Sequence, residues 1–155
     1  MSKTTLARRL SAVASALILT SVALATPAQA ATGTGLDGTD PAVTGCATGS
    51  YPIWSTNLYA SGFGTYQGYM EVRYSPRCGT NWIRVYNAYA QDGKVWKAIS
   101  RPAQGTLPSY SQYEVDWGTG WSWGMQVYAP GATHITVQAG ITTDPWIARS
   151  GIVTL

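Results

Sequence analysis

The sequence predicts an all-β domain, a small single-domain sandwich or closed barrel with one disulfide. Three observations carry this. Beyond residue 50, about eight short runs alternate apolar and polar residues with period two, the pattern of half-buried strands. Gly, Pro and Asp turn signals separate these runs at fairly regular spacing. No window beyond residue 30 carries a 3.6-residue apolar stripe, and no fixed-period repeat points to a propeller or solenoid.

Taken in order, the chain opens with Lys3, Arg8 and Arg9. An apolar run over 10–24 follows, diluted with Ala and Ser, and then Thr26-Pro27-Ala28-Gln29-Ala30-Ala31. A basic start, a short apolar middle and small residues at minus three and minus one make a secretory signal. The predicted signal is 1–30, with cleavage between Ala30 and Ala31. A membrane span needs about 20 strongly apolar residues. This run is shorter and weaker, so an uncleaved anchor is the poorer reading and no stable membrane insertion is expected after signal removal. Arg8-Arg9 leaves the export route open between the general and the twin-arginine pathways. One domain is expected over 31–155.

The formal charge of +3 belongs to the signal. Ten Lys and Arg, less Lys3, Arg8 and Arg9, leave seven basic residues against seven Asp and Glu. A neutral body gives no reason to expect nucleic acid or an anionic membrane as partner.

Residues 31–38 are Gly- and Thr-rich and read as a loose leader. Asp40-Pro41 starts a turn. Gly45-Cys46-Ala47-Thr48-Gly49 has no bulky side chains with which to pack itself. Cys46 and Cys78 are the only two cysteines in a chain that begins as an exported one, so a disulfide between them is expected to anchor this segment. Closing a loop of about 33 residues is worth about 3–4 kcal/mol in the chain-entropy account. One His and two distant Cys do not make a zinc set, and no metal or cofactor is expected.

Residues 51–60 read as a strand, and Ser61-Gly62-Phe63-Gly64-Thr65 as a turn. In the strand over 66–74, Met70, Val72 and Tyr74 point one way and Tyr69, Glu71 and Arg73 the other. Ser75-Pro76-Arg77-Cys78-Gly79 turns the chain. Over 82–89, Ile83 and Val85 oppose Trp82, Arg84 and Tyr86. Glu71 or Arg73 therefore meets Arg84 or Tyr86 on a solvated face, in pairs worth about 0.2–1 kcal/mol. Gln91-Asp92-Gly93-Lys94 is a tight hairpin turn, followed by a strand over 95–100 and a loop over 102–109. The strand over 110–117 sets Tyr113, Val115 and Trp117 against Gln112, Glu114 and Asp116. Gly118-Thr119-Gly120 turns into 121–128, where Trp121, Trp123, Met125 and Val127 share a face. After the turn Ala129-Pro130-Gly131-Ala132, the strand over 134–139 turns Ile135, Val137 and Ala139 inward. A last strand over 147–155 breaks at Ser150-Gly151.

Catalytic constellations are thin. Glu114 and Asp116 lie on one strand face, about 6–7 Å apart at Cα, a spacing that a glycosidase pair tolerates. The plainer reading is a solvated strand face. His134 is the lone histidine, and no Gly-x-Ser-x-Gly elbow accompanies it. Paired cysteines cannot supply a thiolate, and no glycine-rich loop precedes a helix to cradle phosphate. No catalytic residue is assigned.

Aromatics are in surplus. All seven Trp, all ten Tyr and Phe63 fall beyond residue 30, more rings than a domain core of this size needs. Trp117-Gly118-Thr119-Gly120-Trp121-Ser122-Trp123-Gly124 sets three indoles among small residues that leave ring faces bare. Bare Trp faces stack on sugars or on apolar protein patches. Trp121 and Trp123 could equally be core, being in phase with Met125 and Val127. Trp117, beside the turn, is the better candidate for exposure. Trp82 and Arg84 are further candidates.

Two stretches resemble a known family. Asp37-Gly38-Thr39-Asp40-Pro41-Ala42-Val43-Thr44-Gly45-Cys46 and Glu71-Val72-Arg73-Tyr74-Ser75-Pro76-Arg77-Cys78-Gly79-Thr80-Asn81-Trp82-Ile83-Arg84-Val85 resemble the bacterial extracellular domain of unknown function 2690, over residues 36–140. The resemblance implies a small exported domain, secreted alone or carried outside the membrane by an intracellular regulator. It implies no activity and no catalytic residues.

The expected function is extracellular binding without catalysis, to cell-wall or other polysaccharide or to another extracellular protein. The binding candidates are Trp82, Arg84, Trp117, Trp121 and Trp123. The alternatives are a small hydrolase using Glu114, Asp116 or His134, and an inhibitor or toxin aimed at competitors.

Overall fold

A computed structural model describes residues 32–88 and 92–155. The predicted signal over 1–30, its cleavage point at Ala30 and Ala31, the strand end at Tyr89 and the turn residue Gln91 lie outside the described residues. The strands are β1 (Tyr51–Tyr59), β2 (Tyr66–Ser75), β3 (Thr80–Asn87), β4 (Lys94–Arg101), β5 (Tyr110–Trp117), β6 (Gly120–Trp123), β7 (Val127–Tyr128), β8 (Thr136–Thr143), β9 (Trp146–Arg149) and β10 (Val153–Thr154). One sheet runs β1-β2-β3-β6, with β7 also on β3. The other runs β10-β8-β4-β5, with β9 also on β8. The two antiparallel sheets pack on a shared core and do not close, so the fold is a sandwich rather than a barrel.

The period-two pattern fixes the inner faces. Met70, Val72, Ile83 and Val85 of the first sheet meet Val95, Ile99, Val137, Ala139 and Ile141 of the second. Burying each larger side chain contributes roughly 1.5–3 kcal/mol. Gly68 makes room in this layer, since a Cβ there would lie 2.5 Å from Ile141 Cδ1.

The predicted strand over 121–128 is two strands. Trp123 pairs with Arg84, but Val127 pairs with Asn81, so one extra residue is accommodated between them. This bulge reverses the in–out phase. Val127 is fully buried, while Trp121 and Trp123 face outward. The strand predicted over 147–155 likewise divides, at Ser150-Gly151, into β9 and β10.

The leader over 31–38 is not loose where it is described. Gly33–Leu36 forms a 3-10 turn and Leu36 is buried. Asp37 then reaches the interior, where its two carboxylate oxygens accept from Arg101 Nη1 at 3.0 Å and Nη2 at 2.9 Å. The Asp37 carboxylate also accepts the Tyr128 N–H at 2.7 Å. Along β5 the inward phase is polar, with Gln112, Glu114 and Asp116, and on β4 Lys97 and Arg101 alternate inward with the core residues Val95 and Ile99. The Cys46–Cys78 disulfide is formed, with Cα atoms 5.7 Å apart, and ties residues 39–50 to the β2–β3 turn. Gly79 in that turn has φ +64, a conformation that suits glycine.

Candidate functional site

The outward phase of β2, β3 and β6 builds one continuous surface. Register places Tyr69 beside Tyr86, Glu71 beside Arg84 and Arg73 beside Trp82. It then places Tyr86 beside Trp121 and Arg84 beside Trp123. Four of the five predicted binding residues, Trp82, Arg84, Trp121 and Trp123, therefore share this face.

Charge is organised around a single carboxylate. Glu71 Oε2 accepts from Arg84 Nη2 at 2.8 Å, from Arg84 Nε at 3.2 Å and from Arg73 Nη1 at 3.2 Å. Arg73 also donates to the Ser50 carbonyl at 2.6 Å. Two guanidinium groups for one carboxylate leave a local excess of positive charge. The expected solvated pairing is largely buried: Glu71 is 9% exposed, covered by the groups that bind it. Arg84 Nη1 makes no hydrogen bond among the described residues.

The rings are held by their neighbours. The Arg84 guanidinium lies 4.0 Å from the Trp121 ring centroid, in cation–π geometry. Tyr86 tilts against Trp121 at 5.3 Å and Tyr69 meets it edge-on at 6.4 Å. Trp121 and Trp123 are 43% and 47% exposed, so the reading of both as core is set aside by the bulge. Trp82 is 3% exposed and cannot be an open stacking surface. It lines a cavity of about 240 Å³ with Pro41, Ala42, Arg73, Arg84 and Trp123. The disulfide-tied segment supplies one wall of that cavity, which sequence reasoning missed because nothing in residues 41–50 marks where they fold back.

Trp117 stands apart. It is 72% exposed, ends β5 in the other sheet, and takes that sheet's outward phase. It borders a cavity of about 350 Å³ in the gap between β5 and β6, together with Glu114, Asp116 and Ser122. There the ammonium of Lys97 donates to Asp116 Oδ2 and Ser122 Oγ, and the Ser122 hydroxyl donates to the same carboxylate oxygen. Glu114 Oε1 accepts from Gln112 Nε2 at 2.6 Å and from the Met125 N–H at 2.7 Å. Burial raises the Glu114 carboxyl above its ordinary range, against the Met125 N–H and the Lys97 charge. Burial also pushes Asp116 up, but hydrogen bonds from Lys97 and Ser122 and the Lys97 charge outweigh it and hold the carboxyl low. Such divergent carboxyls are what acid–base chemistry uses, and also what a cross-sheet polar lock produces.

His134 does not join them. It precedes Thr136, which pairs with Ser100 near the far end of β4, whereas Glu114 and Asp116 pair with Lys97 and Val95. Its backbone N–H donates to Gln104 Oε1 in an exposed loop. Among the described residues, no cluster of three or more His, Cys, Asp or Glu is placed to hold a metal ion.

No curated protein and no solved structure matches the chain. A family model, Protein of unknown function (DUF2690), matches residues 34–134, spanning the ordered N-terminal segment, the disulfide and the aromatic face, and the chain belongs to that family.

Proposed function

We propose that the protein is an extracellular binding module whose outer face on β2, β3 and β6 holds an acidic polysaccharide of the cell wall. One observation carries the reading: exposed Trp123 lines a cavity with Arg73 and Arg84, Arg84 in turn lies over exposed Trp121, and the combined charge of the two arginines exceeds that of Glu71. Indole faces suit the apolar faces of sugar rings. The uncommitted Arg84 Nη1 suits a carboxylate, which guanidinium groups bind by charge-assisted hydrogen bonds. The Cys46–Cys78 bridge is compatible with an oxidising compartment. No helix among the described residues is long and apolar enough to cross a membrane.

The test is sedimentation with insoluble peptidoglycan, together with calorimetric titration of polygalacturonate. Wild type is expected to co-sediment, and Trp123→Ala to lose at least about ten-fold in affinity, as truncation of a central aromatic anchor does. Protein left wholly in the supernatant, or an unchanged Trp123→Ala, overturns the reading. Release of new reducing ends that stops in Glu114→Gln or Asp116→Asn would favour the hydrolase instead.

A further inference from the structure

We propose that the outer face of the second sheet is a separate binding groove for an extended neutral polysaccharide. It goes beyond the acidic-glycan reading of the first sheet and does not rest on it. A groove of about 470 Å³ crosses this face and is lined by Ser100, Ser111, Tyr113, Thr136, Gln138 and Ile152. No lining residue is charged, so nothing there offsets the desolvation of a charged ligand.

The lining residues Ser111, Ser100 and Thr136 belong to a rank of hydroxyls in register, which Thr154 extends past the groove. Ser111 pairs with Ser100, Ser100 with Thr136, and Thr136 with Thr154, one from each of β5, β4, β8 and β10. Thr136 Oγ1 and Thr154 Oγ1 lie 3.4 Å apart. With strands about 4.7–4.9 Å apart, the rank runs roughly 14 Å across the sheet. Each hydroxyl can donate and accept, which suits a ligand that repeats hydroxyls along its length.

Beside the rank lies an aromatic platform. Tyr113 is 60% exposed, and its ring runs nearly parallel to that of Trp96, 22° between planes and 6.3 Å between centroids. Trp96 is seated on Gly140: a Cβ at that glycine would lie 2.7 Å from the indole. The glycine lets the ring lie down on the sheet, so one indole face is packed and Trp96 braces the exposed Tyr113 ring. A hydroxyl rank and the Tyr113 ring in a groove whose lining carries no charge match the alternating polar edges and apolar faces of a neutral sugar chain, and the charged Arg149, in register with Gly140 beside the platform, lies outside that lining.

Calorimetric titration with cellohexaose and chitohexaose tests this. At least one is expected to bind wild type. Tyr113→Ala is expected to weaken it at least ten-fold, and the pair Ser100→Ala with Thr136→Val to weaken it measurably. Trp123→Ala, on the other sheet, is expected to leave it unchanged. Loss of peptidoglycan binding with retained oligosaccharide binding would sink the first-sheet reading alone. The groove is overturned if neither oligosaccharide binds, if Tyr113→Ala binds as wild type, or if Trp123→Ala removes binding. It is also overturned if Tyr113→Ala changes only the sedimentation of a dimer, since the face would then cover a second copy. Circular dichroism of both variants separates lost binding from lost folding.

Discussion

Arg101 lies at the base of the polar interior, its side chain without exposure and that of Asp37 at 8%. Its remaining donors go to the carbonyls of Pro108, at 2.9 Å, and Tyr128. A guanidinium so placed is tolerable only because each of its three nitrogens has an acceptor, and the carboxylate that meets it comes from Asp37, 64 residues earlier. Removing one partner of such a pair strands the other charge, at about 3–5 kcal/mol. Asp37→Ala is therefore expected to lower the unfolding free energy by about that amount. Arg101→Met is expected to cost a similar amount, since it leaves Asp37 buried. The double variant is expected to lose less than the sum of the two, because no charge then stays behind. Urea denaturation of the three variants measures the cycle. Additive losses would mean that the pair is not coupled and that residue 37 contributes only backbone packing.

At the scale of the strand, β5 shows what alternation conveys and what it leaves open. Period two separates Tyr113 and Trp117 from Glu114 and Asp116, but it does not say which set is inside. Here the carboxylates face inward, because Lys97 on β4 and Ser122 on β6 meet Asp116 there and the Met125 N–H meets Glu114. The opposite shifts of the two carboxyls predict opposite pH slopes. Folded Glu114 holds its proton above the ordinary value of 4.5, so the native state binds more protons in that window and stability falls as pH rises through it. Folded Asp116 lets its proton go below 3.8, so its stability contribution is lost as pH falls through that range. Wild type is expected to lose stability relative to Glu114→Gln on moving above 4.5, and relative to Asp116→Asn on moving below 3.8. Urea midpoints across the acid range measure both differences, and parallel curves would refute the assignment. The hairpin of β2 and β3 was legible in its alternation, since Met70, Val72, Ile83 and Val85 alternate with polar or ring-bearing partners, but not in the burial of Glu71 on its outer face. The aromatic face was legible only in its members. Its orientation depends on one extra residue between Trp123 and Val127, and a bulge leaves no periodic trace in a run where Trp121, Trp123, Met125 and Val127 keep a regular spacing. The burial of Trp82 was not legible for a related reason, since Pro41 and Ala42, which line the same cavity, are distant in the chain.

For the whole molecule, the segment before β1 behaves as a strap across both sheets. Asp37 holds Arg101 in the second sheet. Thr39 and Gln126 exchange a backbone bridge, and Gln126 Nε2 donates to the hydroxyls of Thr39 and Thr44, at 2.8 Å each. Gln126 Oε1 accepts from Thr80 at 2.7 Å, and Ser50 meets Arg73 in the first sheet. Residues 39–50 carry little apolar bulk, so burial contributes little to holding them, and the Cys46–Cys78 bridge substitutes for a core contact. The same strap walls the cavity beside Trp82, so one cross-link serves both stability and the first binding face. Cys46→Ala with Cys78→Ala is expected to lower the unfolding free energy by about 3–4 kcal/mol, the loop-closure value for this separation. At a temperature where the variant stays folded, it is also expected to weaken polygalacturonate binding, since the wall formed by Pro41 and Ala42 is no longer pinned. Oligosaccharide binding at Ser100, Tyr113 and Thr136 lies on the opposite outer face and is expected to persist. Equal weakening at both faces would mean that the bridge supports the sandwich as a unit rather than the strap and its cavity.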